Sequence, residues 1–296
     1  MIFQRFRLLA MLFLIGLLLR TDFVTARSQG QRPLAVSVSP AVISQGDVVR
    51  IDVTDARNKT ITGTLFGKDL TFSFDNTRGR VSALAGVDLE TKPGEYRLRI
   101  DHDTGVPSDI TTRVVQVHAK AFRVRRLRVA DTFVNPPADA VAQINNDNKM
   151  ISAAYALVTP QRWSGAFVFP VDGTPTSNFG TRSYYNGVRR SPHAGVDFTS
   201  EPGTPIRASN HGSVALAASL YFTGNTVIID HGARLFSVFA HLSALHVKAS
   251  DVVTPDTIVG LVGATGRVTG PHLHWSVRLN GARVDPLSLI AVTQAP

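Results

Sequence analysis

Short stretches of alternating polar and apolar residues recur along most of the chain, and they constrain the fold more than any other feature. Six of them lie between residues 32 and 119: "LAVSVSP", "DVVRIDV", "TITGTLF", "LTFSF", "GEYRLRI" and "RVVQVHA". Turn-forming pairs such as Pro93-Gly94 separate them. Alternation with a period of two is typical of half-buried strands. The spacing predicts a small β-sandwich over residues 32–119.

A second series of strands follows further along the chain. "TVIID", "RLFSVFAHL" and "HLHWSVRL" are rich in β-branched and aromatic residues, and glycine and proline occur often between them. They predict a mostly antiparallel β-sheet domain over residues 164–289. The predicted fold class is therefore all-β with two domains.

Residues 120–163 are expected to link the two domains. The linker starts with the basic run "KAFRVRRLRVADTF", which is expected to form a solvated surface, with a dedicated polyanion site as the alternative. Apolar residues at helical spacing in "ADAVAQINNDNKMISAAYALV" then predict a short helix. Asn135 is the expected cap of that helix, with Pro136 in its first turn.

The N-terminus has the pattern of an export signal. Arg5 and Arg7 precede an apolar run from Leu8 to Leu19, and "VTA" at residues 24–26 is a small-residue cleavage site. The run is shorter than the about 20 residues that span a bilayer, so no stable transmembrane span is expected after cleavage. Residues 1–26 are predicted to be a signal peptide, and the protein to act in the periplasm or cell envelope. The alternative is a chain tethered by an uncleaved segment.

Composition excludes some kinds of site. The chain has no cysteine, so neither disulfides nor thiolate metal sites can form. Its formal charge of +9 predicts attraction to anionic polymers of a cell envelope. Nucleic acid is not expected as a partner, because the chain shows no finger, ribonucleoprotein or helix-turn-helix signature.

Two short motifs bring together residues that bind metals. In "RSPHAGVDFTS", His193 and Asp197 are four residues apart, which puts both side chains on one face of an extended segment. In "GPHLHWSVRL", a strand would direct His272 and His274 to one face and Trp275 with its apolar neighbours to the core. The histidine face is therefore expected to look into a cleft.

Two imidazoles and one carboxylate are good zinc ligands, and three protein ligands leave the open position of a catalytic site. His193, Asp197 and one of the pair His272 and His274 are the predicted ligands. The second imidazole of that pair would stand beside the metal as an acid or base. His241, at the end of "LFSVFAHLS", is one more candidate for proton transfer.

The motifs together resemble the lysostaphin-type, or LytM-type, zinc endopeptidases over about residues 164–289. The resemblance rests on "NFGTR", "NGVRRSPHAGVDF", "GTPIRAS", "GNTVIIDHG", "FAHLS" and "GATGRVTGPHLHW" in this order. It implies an antiparallel sheet with an open groove and the hydrolysis of peptide bonds in bacterial peptidoglycan.

Residue by residue, the resemblance implies one Zn²⁺ per chain, held by His193, Asp197 and His274. It makes His241 and His272 the catalytic histidines. The segment that runs beside the groove in the family also contains candidate substrate contacts, namely Asn186 and Arg190.

Two rival functions stay open at this stage. One is a catalytically silent LytM-like protein that binds or regulates envelope components. The other is a zinc amidase that cuts between sugar and peptide in the cell wall. All five site positions are filled here, which favours the endopeptidase.

Overall fold

The computed structural model describes residues 34–54, 56, 60–75, 80–102, 110–129, 135–176 and 178–295. The predicted signal peptide, residues 1–26, lies outside this part. Leu34–Pro296 form one compact unit. Within the described residues, the helices are too short or too polar to cross a membrane. The domain boundaries drawn from the sequence stay a prediction.

The first half of the unit consists of two packed sheets. Their strands are β1 (Ala35–Ser39), β2 (Ile43–Ser44), β3 (Val48–Thr54), β4 (Ile61–Leu65), β5 (Lys68–Asp69), β6 (Ser73–Asp75), β7 (Arg80–Gly86), β8 (Gly94–His102) and β9 (Ile110–His118). One sheet has the order β1-β3-β7-β6 and the other β2-β9-β8-β4-β5. The inner faces of both sheets contribute to one hydrophobic core. The predicted β-sandwich is therefore confirmed.

Alternation explains how these strands pack. In β8, Leu98 and Ile100 are fully buried, whereas the residues that precede each of them, Arg97 and Arg99, are exposed. Ile51 and Val53 face them from β3 in the other sheet and are also fully buried. Successive side chains of a strand point to opposite faces, so a period of two in the sequence gives one apolar and one solvated face.

The linker forms one strand and one helix. Strand β10 (Val124–Leu127) comes from the basic run, and helix α1 (Ala140–Tyr155) follows it. The predicted start of the helix at Asn135 was wrong, because Asp139 occupies the N-cap position and makes no side-chain capping bond. Pro137 and Ala138 lie in a turn before the helix, where their carbonyls accept from the first helical amides. The Asn-Pro pair therefore belongs to that turn and not to the helix.

The second half of the unit is built around a seven-stranded antiparallel sheet. Its elements are β11 (Arg182–Tyr185), β12 (Val188–Arg189), β13 (Gly195–Phe198), β14 (Pro205–Arg207), β15 (Gly212–Leu220), β16 (Gly224–Asp230), β17 (Leu235–Leu242), β18 (Ala244–Leu245), β19 (Val252–Val253), β20 (Ile258–Leu261), β21 (Leu273–Leu279), β22 (Ala282–Val284) and α2 (Pro286–Gln294). The large sheet has the order β13-β21-β17-β16-β15-β19, with β22 beside β21. Two small sheets, β10-β11-β12 and β14-β20-β18, flank it.

The two faces of β21 have different environments, as its sequence predicts. Trp275 and Leu273 are fully buried in the core on one face. The opposite face carries His274 and, four residues further on, Arg278, which lies over the ring of Tyr155 in α1 at 5.1 Å. Helix α1 thus covers this face near Arg278. The groove described below opens near its other end, at His272 and His274, so only part of the histidine face looks into a cleft.

Candidate metal centre and groove

Two neighbouring strands bring His193, Asp197 and His274 together. Asp197 in β13 is directly opposite His274 in β21 in the antiparallel register. Their side chains meet, with His274 Nδ1 at 2.9 Å from Asp197 Oδ1. His193 lies two residues before β13, and its Nε2 lies 3.2 Å from the same oxygen. The side chains of His193 and Asp197, four residues apart, therefore meet on one side of the segment, as the sequence predicted.

Gly195, midway between His193 and Asp197, is required by this close approach. A Cβ atom at this position would lie 2.5 Å from the carbonyl oxygen of Trp275 and 2.7 Å from Cε1 of the His274 ring. Both distances are shorter than real Cβ contacts allow. A side chain here would displace either the β13–β21 ladder or the His274 ring. The glycine of "HAGVD" thus leaves room for the imidazole.

The three donor groups fit a metal ion. One ligand atom from each of His193, Asp197 and His274 lies within 4.8 Å of the other two. Tetrahedral zinc with ligands at about 2.0–2.1 Å separates neighbouring ligand atoms by about 3.3 Å. The distances of 2.9 and 3.2 Å from Asp197 Oδ1 to the two imidazoles are close to that value. Two nitrogens and one oxygen are also donors that zinc prefers.

The charge state of Asp197 suits a ligand. Burial raises the pKa of its carboxyl, but hydrogen bonds from His193 and His274 and their nearby charges outweigh burial and hold the pKa well below its usual value. The carboxylate is therefore ionised at neutral pH. Its second oxygen, Oδ2, accepts a hydrogen bond of 2.6 Å from Nδ2 of Asn178. Asn178 fixes the orientation of the carboxylate. It is the first residue of the motif "NFGTR", but its role was not predicted from the sequence.

Replacing Asn178 by alanine is expected to lower metal affinity by about 10- to 100-fold, the usual effect of removing a partner that orients a metal ligand. The Asp197 carboxylate would lose the donor that restrains its rotation. Competition with a zinc chelator measures the change. Ser191→Ala is the matched control, because Ser191 is an exposed residue of the same groove. Equal affinity in the two variants would contradict this role of Asn178.

His272 lies beside this centre with a defined tautomer. Its Nδ1 is 2.9 Å from the carbonyl oxygen of Gly270. A carbonyl can only accept, so Nδ1 carries the proton and the neutral ring has its lone pair on Nε2. That Nε2 lies 3.9 Å from Asp197 Oδ1. His272 therefore directs a proton acceptor toward the centre.

A β-bulge brings His241 to the same place. The register between β16 and β17 shifts by one residue between the pairs Val227–Phe239 and Asn225–Leu242. Phe239 and Leu242 both lie in the core although they are three residues apart. The extra residue is His241, whose φ of 69° lies in the left-handed region. Bulges re-aim a side chain in this way, and regular alternation would have put His241 in the core.

His241, like His272, has its tautomer fixed by a hydrogen bond to a backbone carbonyl. Its Nδ1 donates to the carbonyl oxygen of Thr265 at 3.0 Å, so its Nε2 is again the acceptor. Its ring lies 4.9 Å from that of His272 and 6.1 Å from that of His274, measured between centroids. Burial, reinforced by the charges of these two histidines, lowers the His241 pKa to about 4. The ring is therefore neutral at pH 7.

The centre lies in a groove of about 850 Å³. His193, Asp197 and His272 contribute to its lining. Arg190, a predicted substrate contact, also lines the groove. Asn186 is the other predicted substrate contact. Its side-chain amide forms two hydrogen bonds of 2.9 Å with the backbone of Val129, one as acceptor and one as donor.

His231, the histidine of the motif segment "IIDHG", has a structural role in the core. It is fully buried, with Nδ1 at 2.7 Å from the carbonyl oxygen of His211 and Nε2 at 2.7 Å from Oγ of Ser237. Burial lowers its pKa to about 4. Its ring contacts are with Phe167 and not with the metal centre.

Comparison with known proteins identifies the family. The model of peptidase family M23 matches residues 191–286, which include the three ligand candidates and both further histidines. A Pseudomonas aeruginosa crystal structure assigned to peptidase M23 superimposes with a TM-score of 0.67 at 31% identity, covering 85% of this chain and 96% of that one. The chain belongs to peptidase family M23. The family predicted from the sequence motifs is thereby confirmed.

Curated relatives are similar to part of this chain. The peptidoglycan DD-endopeptidase ShyA of Vibrio cholerae is 38% identical over 122 residues, which are 40% of this chain and 28% of that protein. The DD-carboxypeptidase/endopeptidase Mpg of Neisseria meningitidis is 41% identical over 101 residues, 34% of this chain and 23% of that protein. The chain thus spans about a quarter of the length of these relatives.

Proposed function

We propose that this M23 protein is a zinc-dependent endopeptidase that hydrolyses peptide bonds in bacterial peptidoglycan, acting in the periplasm or cell envelope. One observation carries the proposal: two further imidazoles, each with its acceptor nitrogen fixed, stand beside a complete His-Asp-His donor set. A structural metal site needs no such pair. The names of the relatives, both peptidoglycan or DD-peptide hydrolases, support the substrate class.

In this proposal His193, Asp197 and His274 hold one zinc ion. Zinc would supply carbonyl polarisation and a bound water whose pKa is lowered toward about 7. The side chains that hold it are preorganised by the β13–β21 register, by Gly195 and by Asn178. Preorganisation matters because a catalytic centre gains most when its groups need no rearrangement during the reaction.

His241 and His272 would move the protons. Each presents Nε2 as an acceptor, so either ring can take the proton of the attacking water. The ring that accepts becomes a donor at Nε2 and can protonate the leaving amine. The other ring helps to orient the reacting groups. The carbonyls of Thr265 and Gly270 keep both rings in the tautomer this requires.

The direct test is digestion of purified cell-wall sacculi by the zinc-loaded full chain. Mass spectrometry of the released fragments should show new amino and carboxyl termini within the peptides. Intact peptides released from the sugar would instead identify an amidase. Metal-free protein should be inactive and recover activity when zinc is added. Bound zinc without cleavage of any peptide bond in the wall would contradict the proposal.

A further inference from the structure

The lining of the groove is unusually basic. Four guanidinium groups line it, one from strand β10, one from the residue just before that strand, and two from loops of the second half of the unit. We refer to this set as the arginine rim: Arg123, Arg125, Arg190 and Arg267. A fifth arginine of the groove, Arg189, is bound to Glu90 at 2.9 Å and is left out of the set.

The rim is built by a strand pairing that joins distant parts of the chain. Strand β10 pairs in parallel with β11, with Arg125 next to Ser183. Successive side chains of such a pair point to opposite faces. Arg123, Arg125 and Ser183 accordingly line the groove. Arg126 points the other way, over the ring of Tyr184 at 5.2 Å.

The other two arginines of the rim each lie over an aromatic ring. Arg267 lies over the ring of Phe222 at 4.5 Å, and Arg190 over that of Tyr185 at 5.8 Å. Burial lowers the pKa of Arg267, interaction with Tyr185 opposes this shift, and the positive charge of Arg190 adds to it. The two guanidinium groups therefore repel each other. A bound anion would lessen that repulsion.

The described lining of the groove contains little negative charge. Among the described residues that line it, only Asp197 is acidic, and its oxygens are taken by His193, His274 and Asn178. Across the described ranges, no carboxylate lies within salt-bridge distance of Arg123 or Arg125, both exposed. A bound ligand can supply negative charge beside these two arginines.

We propose that the arginine rim binds a free carboxylate of the peptide in the groove, so that the site selects anionic peptides. The inference rests on the proposed function, which it makes more specific. The rim shares one groove with His193 and His272, so a peptide reaching the metal centre passes it. Guanidinium groups bind carboxylates through paired hydrogen bonds, which gives selectivity for that group. A long anionic polymer would need an open surface, whereas the rim lines a concave site.

Binding of a soluble peptide to the metal-free full chain tests the rim without any turnover. The probe is a fluorescein-labelled, cross-linked dimeric muropeptide with its carboxylates free, followed by fluorescence anisotropy. Its twin has every carboxylate amidated, and two further probes have only the side-chain or only the C-terminal carboxylates amidated. The free form should bind about tenfold or more tightly than the fully amidated form. The partly amidated probes identify which carboxylate the rim holds.

Arg125→Gln should remove most of this preference, and Arg190→Gln, a change at a second member of the rim, should do the same. Arg126→Gln is the matched control, because it removes the same charge from the same strand on the opposite face. It should retain the preference. In zinc-loaded protein, Arg125→Gln should raise KM about tenfold with kcat unchanged, because the rim binds substrate and transition state alike.

Equal binding of the free and amidated peptides would overturn the inference. So would an equal loss of preference in Arg125→Gln and Arg126→Gln. Competition by polyphosphate without any effect of amidation would identify the rim as a surface for anionic polymers. A chain that discriminates between the peptides but cleaves neither would refute the proposed function and leave the rim standing.

Discussion

Replacing His193 by alanine is expected to remove zinc from the chain and to lower kcat/KM by more than about a thousandfold. The variant leaves one imidazole and one carboxylate for the metal, fewer than the three protein ligands of a catalytic zinc site. Zinc content after dialysis and cleavage of a soluble muropeptide measure the two effects. His274→Ala is expected to give the same result, because its Nδ1 meets the same Asp197 oxygen.

The loss of zinc should also appear in stability. A ligand that binds only the folded chain stabilises it by about 4 kcal/mol at a thousand times its dissociation constant. Zinc should therefore raise the Tm of the unmodified protein, and this rise should vanish in His193→Ala. His246→Ala is the control, since His246 is exposed and outside the centre. A His193→Ala variant that keeps one zinc per chain would remove His193 from the ligand set.

The strands were predictable from the sequence because each one faces two environments. In β21, the alternation of Leu273, Trp275 and Val277 with polar residues matches the observed burial residue by residue. The start of helix α1 was not predictable from Asn135, because a proline after a capping residue is equally suited to a turn. Asn and Pro are found both at helix starts and in turns, so their sequence pattern alone does not decide between the two. The contacts of the residues that follow decide it.

Much of the metal centre was also visible in the sequence. Within a strand, side chains two or four residues apart share a face. The spacing therefore predicted that His193 lies on the same side as Asp197, and His272 on the same side as His274. That the two pairs meet depends on the β13–β21 register, which the residues alone do not specify. The resemblance to a family supplied that information, and the structure places Asp197 opposite His274.

Other features of the groove depend on irregular or long-range structure. Regular alternation would bury His241 beside Phe239, and only the bulge turns it to the centre. Arg125 reaches the groove because β10 pairs in parallel with β11, a strand more than fifty residues further along the chain. The basic run was expected to be a solvated surface, yet alternate arginines of it line the groove. Pairing across such a distance leaves no periodic signal in the sequence.

His272→Ala is expected to keep zinc and to lower kcat by about 10²- to 10⁴-fold, the usual contribution of a general acid or base. Its Nε2 lies 3.9 Å from Asp197 Oδ1, so it is near the centre without belonging to the closest set of donors. Zinc content and kcat measured on the same preparation separate this result from that of His193→Ala. Loss of zinc from His272→Ala would make His272 a ligand.

His241→Ala should behave in the same way, with zinc retained and kcat lowered about 10²- to 10⁴-fold. The decisive measurement is the double variant, His241→Ala with His272→Ala. The two rings lie 4.9 Å apart and each keeps Nε2 as its acceptor nitrogen, so in our proposal they act on the same proton transfers. Groups that act as a unit lose most of their effect when either is removed, and the loss in the double variant should be much smaller than the product of the single losses. Fully multiplicative losses would mean that the two histidines serve independent steps, and the shared role proposed for them would then be wrong.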